Sequence, residues 1–183
     1  MMWAWYGSAE SASVARGRPV CMDPDERDAL AALLDVQEGR LAVPLLGDAA
    51  IAALLRTARR GAVIGASDRP GRPSRSVMEH LLHAGYDVVP VTPGSPTVLG
   101  VRAFPTLAEA VAATGAFEIV DAFRRSAKTP AHAREAATAG AAVLWLQLGI
   151  ANWEAARIAR AGGLAVVMDR CISVEHHRLL RGG

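Results

Sequence analysis

The stretch Gly61–Gly94, GAVIGASDRPGRPSRSVMEHLLHAGYDVVPVTPG, decides the fold. An apolar run is followed by a loop holding Gly65 and Ser67. A helical pattern then opens at Pro73 and stops at Gly85, before a second apolar run, Tyr86 to Val91. Pro at the first turn and Gly just past the last are the helix boundary signals expected of a strand–helix–strand unit. In a nicotinamide-binding unit the second strand ends in an acid that accepts from both ribose hydroxyls, ~20 residues after the glycines. Here it ends Val91-Thr92-Pro93-Gly94-Ser95. The nearest acid, Asp87, stands at the strand's start, at the wrong edge of a parallel sheet.

The same alternation continues outward. Thr106 caps a helical run, Leu107 to Thr114, and Phe117 to Phe123 reads as a third strand. Pro130 opens a small-residue helix that Gly140 ends. Ala141 to Gly149 and Leu164 to Arg170 are further strands, with a helix at 152–163 between them and a closing helix after them. Upstream, Asp48 is placed as the N-cap of a helix over 49–60, and the run 92–105, full of Pro and Gly, reads as loop. Short apolar strands alternating with helices predict an α/β chain, a Rossmann-like three-layer sandwich with a mostly parallel five-stranded sheet. Residues 48–183 are expected to form this domain. Residues 23–47 are read as a short helical lead-in and linker, and residues 1–22, without periodicity, as a disordered extension.

Composition excludes several function classes. The chain has 183 residues, 51% apolar and 21% charged, with a formal net charge of +2. That charge, with no basic block, argues against a nucleic-acid surface. No apolar run reaches the ~18 residues of a membrane span. The N-terminus lacks the basic and apolar regions of a signal peptide. Cys21 and Cys171 make no disulfide framework, so a reducing cytoplasm is the expected compartment. Oligomeric state is not fixed by the sequence, and a homodimer is compatible with it.

In an open parallel sheet ligands bind beyond the carboxyl ends of the strands. The first such loop runs Gly65-Ala66-Ser67-Asp68-Arg69-Pro70, then Gly71-Arg72-Pro73-Ser74-Arg75. Gly65 permits a tight turn, Ser67 and Ser74 offer hydroxyls, and Arg69, Arg72 and Arg75 offer charge to a phosphate at a helix N-terminus. The loop matches neither the dinucleotide fingerprint nor the P-loop, and the same residues suit a solvated turn equally well. Thr92 and Ser95 are neutral donors that tolerate a phosphorylated ribose. Coenzyme A carries a 3′-phosphate there, so the missing acid fits CoA better than NAD and leaves NADP open.

The segments VIGASDRPGRPS, VVPVTPG, VLGVRAFPTLAEA, IVDAFRRS, LWLQLGI and VVMDRCI occur in that order between Asp48 and His176. Together they resemble the small bacterial and archaeal CoA-binding-domain proteins often called YccU-like. These are similar to the N-terminal CoA-binding domain of the succinyl-CoA synthetase alpha subunit. The resemblance implies a Rossmann-like fold with CoA or acyl-CoA as ligand. It implies contacts from Gly65, Ala66, Ser67, Asp68, Arg69 and Pro70, from Pro93, Gly94 and Ser95, and from Leu146, Gln147, Leu148 and Gly149. It also places Phe123 and Arg124 near the cofactor. In the synthetases a Lys often follows the Pro-Gly pair. Ser95 stands there in this chain, so charge must come from Arg69, Arg72 or Arg75. The phosphohistidine domain of those ligases has no counterpart, so the resemblance transfers binding without catalysis. A CoA-ligase subunit needing a partner chain and an NADP-dependent oxidoreductase are the competing readings.

No catalytic or metal-ligating residue is assigned. His80 and His83 have helical i, i+3 spacing without an apparent third ligand. His176 and His177 point different ways from a helix. Cys171 stands at the ligand edge after Asp169-Arg170, and is read as a small buried hydrophobe rather than a reactive thiol.

Overall fold

A computed structural model describes residues 22–180. The expectation for the extension before Met22 therefore lies outside the described residues. Five strands form one sheet: β1 (Arg60–Ile64), β2 (Asp87–Val91), β5 (Ile119–Ala122), β6 (Val143–Leu146) and β7 (Ala165–Val167). Their order is β2-β1-β5-β6-β7, and every pairing is parallel. The sheet is thus wholly rather than mostly parallel.

Among the described residues seven α-helices surround it: α1 (Pro24–Gln37), α2 (Asp48–Thr57), α3 (Pro73–His83), α4 (Leu107–Thr114), α5 (Thr129–Thr138), α6 (Trp153–Ala161) and α7 (Ile172–Leu180). Side-chain alternation divides the core in two. Val63, Ile119, Val143, Trp145 and Val167 pack under α2, α3 and α7. Ala62, Ile64, Val120, Leu144 and Leu146 pack under α4, α5 and α6. Ala32 of α1 is buried in the second cluster, and Trp153 Nε1 donates to Asp35 at 3.1 Å, so the lead-in helix docks on the domain.

Local chemistry accounts for the boundaries. Thr106 accepts from the Glu109 amide at 3.2 Å and Asn152 from that of Ala155 at 2.8 Å, each satisfying an orphan donor. Two expectations are corrected. Gly47, not Asp48, is the N-cap of α2. Asp48 is the first helical residue, and its carboxylate meets Arg170 at 2.6 Å and Arg178 at 2.8 Å. A carboxylate in a first turn suits the helix dipole, and here it pairs with two guanidiniums instead of capping the helix. The second correction concerns 92–105, which is not plain loop. β3 (Thr97–Val98) and β4 (Val101–Arg102) form an antiparallel hairpin there, and Phe104 bridges to Val91 at the sheet's edge.

Candidate functional site

The strand order reverses between β1 and β5: the chain moves outward to β2 from one side of β1 and to β5 from the other. Loops leaving β1 and β5 diverge to opposite faces and open a crevice at their carboxyl ends. A cleft of about 630 Å³ lies there. Its lining includes Arg69, Arg72, Arg124 and Arg125, with no Asp or Glu among the lining residues. None of these four arginines enters an ion pair among the described residues. A cleft lined by several cations outside any ion pair and by no carboxylate has a positive potential that favours anions.

Gly65 shapes the turn. Its φ is +83°, and a Cβ there would overlap the Phe123 carbonyl oxygen. Only glycine lets the β1 and β5 loops approach this closely. Its amide donates to Val91 O at 2.9 Å, keeping the turn in line with β2. Ser67 Oγ accepts from the Arg69 amide at 3.3 Å, a local turn that orders the backbone ahead of α3. Pro73 opens α3, whose N-cap residue Arg72 supplies no side-chain cap. Pro73 brings no N–H, and the Arg75 and Ser76 amides donate to Arg72 O at 3.0 and 3.4 Å, so the Ser74 amide is the first-turn donor of α3 left for a ligand.

Many of the sequence-predicted residues converge. Gly65, Ala66, Ser67, Arg69, Arg72, Ser74, Thr92, Phe123, Arg124, Gln147 and Leu148 all line the cleft. Others do not. Asp68 accepts from the Leu99 amide at 3.0 Å and ties the first loop to the hairpin. Arg75 lies along α3 beside Glu79, at 3.6 Å. Ser95 donates to Thr97 O at 2.6 Å. Leu146 is enclosed in the core, and Gly149 donates to Asp169 at 2.7 Å. Pro70, Pro93 and Gly94 are exposed outside the lining. The cleft also takes in Pro73, Val77, Arg125, Ile150 and Cys171, which sequence reasoning did not name as ligand contacts. Arg125 was within reach of the argument that selected Arg124.

Under the cleft lies a polar tie. Asp121, on β5, is buried, and its Oδ1 accepts from Gln147 Nε2 at 2.7 Å. Gln147 Oε1 in turn accepts from the Ile172 amide at 3.4 Å, fastening the start of α7 to the sheet. Asp121 Oδ2 is buried without a partner. Burial pushes the Asp121 carboxyl up to about 7, and the Gln147 hydrogen bond acts in the opposite direction. The histidines stand apart from the cleft. His80 Nε2 lies 3.1 Å from His176 Nδ1, joining α3 to α7 with Tyr86 edge-on to His176. No helix among the described residues is long and apolar enough to cross a membrane.

Comparison with known proteins places the fold in a family. The family model described as CoA binding domain matches residues 59–177. An uncharacterized Bacillus subtilis protein, YneT, is 41% identical over 128 residues, covering 70% of this chain and 93% of its own. A hypothetical protein from Pyrococcus horikoshii superposes with a TM-score of 0.70 at 35% identity, over 76% of this chain and 99% of that one. The dinucleotide-forming acetyl-coenzyme A synthetase of Ca. Korarchaeum cryptofilum shares the fold, with a TM-score of 0.54 at 19% identity. It is covered over 28% of its length, against 63% of this chain. From the matched residues 59–177, which span the whole sheet and its switch-point cleft, the chain belongs to the CoA binding domain family.

Proposed function

We propose that this protein binds coenzyme A or an acyl-CoA, holding its phosphates in the turn after β1 and its adenosine beside the end of β2. The observation that carries this reading is the arginine-lined, carboxylate-free cleft at the switch point. The amides of Ala66, Ser67 and Asp68 and that of Ser74, with the Arg69 and Arg72 guanidiniums, would receive the pyrophosphate. Thr92 at the end of β2 takes the place of the ribose-binding acid and leaves room for a 3′-phosphate. Phe123, Leu148 and Ile150 supply apolar surface for the remainder of the ligand. The orphaned Arg124 Nε supports the fit, because a buried guanidinium nitrogen gains most from an anionic acceptor. Pro70, Pro93, Gly94 and Ser95 would act at the rim, and Asp68, Leu146 and Gly149 through the backbone they position.

The reading is one of binding, with no catalytic step attached. Calorimetric titration with CoA, NADP and NAD in parallel tests it. CoA is expected to bind most tightly and NAD not at all. NADP binding without CoA binding would overturn it in favour of an oxidoreductase.

A further inference from the structure

A second basic hollow lies across the loop that bounds the cleft. Phe123, Arg124 and Arg125 line both. On the far side, Lys128, Ala131 and His132 complete a depression of about 450 Å³. Arg124, Arg125 and Lys128, brought together within five residues, enter no ion pair among the described residues. His132, on the rim of this hollow, pairs with Glu135 at 2.9 Å. Three cations on one short loop give a local positive potential that an anion seated among them would relieve.

Sheet order indicates which part of the ligand reaches this place. A nucleotide with its ribose at β2 and its pyrophosphate at the β1 turn directs its thiol arm away from β2, toward β5 and β6. The arm then ends beside the wall that the two hollows share. We infer that the second hollow receives the terminal carboxylate of an acyl group carried on CoA, which makes thioesters of dicarboxylic acids the preferred ligand class. The Phe123 ring and the Ala131 methyl give the intervening methylenes an apolar path, and Arg125 and Lys128 meet the carboxylate. This inference rests on the CoA reading above.

Calorimetric titrations of the full chain with CoA, propionyl-CoA, malonyl-CoA, pentanoyl-CoA and glutaryl-CoA test it. Within each acyl pair only a terminal methyl and a terminal carboxylate differ, and the two lengths cover short and long reach. In at least one pair the diacid is expected to bind tenfold or more tighter than its neutral twin. That advantage should vanish in Lys128→Gln while affinity for CoA itself stays unchanged. Equal affinities within both pairs would overturn the inference and leave CoA binding intact. An equal loss for CoA and the diacid in Lys128→Gln would overturn it too, because the hollow would then hold a nucleotide phosphate. Failure of every CoA compound to bind would remove the CoA reading and this inference with it.

Discussion

Gly65 is the residue on which the site's geometry turns. Its positive φ and the adjacent Phe123 carbonyl leave no room for a side chain. Gly65→Ala is expected to destabilise the fold by about 1–3 kcal/mol from backbone strain alone, read by urea denaturation, and to weaken CoA binding further by moving the turn. Arg69 tests the electrostatic part. A charge-assisted hydrogen bond is worth ~1.5–3 kcal/mol, so Arg69→Ala should raise the Kd for CoA about 10- to 150-fold, toward the lower end because Arg69 is exposed. Unchanged affinity would move the phosphates elsewhere. Asp121 makes a pH prediction. Its carboxyl is raised from 3.8 to about 7 by burial. Between those values the unfolded chain releases the proton and the folded chain keeps it. Folding stability therefore falls as pH rises through this window, and the deficit persists above it. Asp121→Asn removes the deficit, so its stability relative to the parent should improve from pH 5 to pH 8 in urea melts. A constant difference would contradict the assignment. The first loop's chemistry was legible because Gly, Ser and Arg carry their roles locally. The Asp121–Gln147 tie was not, because it depends on which side chains of β5 and β6 share a face. Within "FEIVDAF" nothing marks the Asp as a member of a buried pair.

At the scale of elements, the helices and the five sheet strands follow from capping residues and apolar runs. The β3–β4 hairpin does not. Its turn carries Leu99 and Gly100 at φ +50° and +76°, the successive positive values of a primed hairpin turn. Leucine is not a residue that announces such a turn, and Asp68 holds it there by accepting from the Leu99 amide. The role of Asp48 was hidden for a related reason, since its partners Arg170 and Arg178 lie at the other end of the chain. These guanidiniums hold its carboxyl well below the usual carboxylate range and join α2 to α7. A second tie near that junction is testable. Tyr86 Oη donates to Leu55 O, near the end of α2, at 2.5 Å. Tyr86→Phe leaves a buried carbonyl unpaired and is expected to cost about 1–3 kcal/mol without changing CoA affinity, because the contact lies away from the cleft. A loss of binding greater than the loss of stability would show that α2 and the cleft are coupled.

For the whole molecule, the parallel order β2-β1-β5-β6-β7 puts the switch point between β1 and β5 and hence puts the cleft there. The position of the cleft was therefore readable from the strand–helix alternation before any side chain was considered. Its boundary was less so. Arg125, Ile150 and Cys171 reach the lining only because the loops after β5, β6 and β7 converge on the first one. The central claim is that the CoA pyrophosphate settles in the turn after β1. A crystal structure of the protein grown with CoA tests this most directly. The expected result is pyrophosphate oxygens within hydrogen-bonding distance of the amides between Gly65 and Arg69 and of the Arg69 or Arg72 guanidinium. Pyrophosphate density elsewhere, with that turn making no contact to the ligand, would contradict the account.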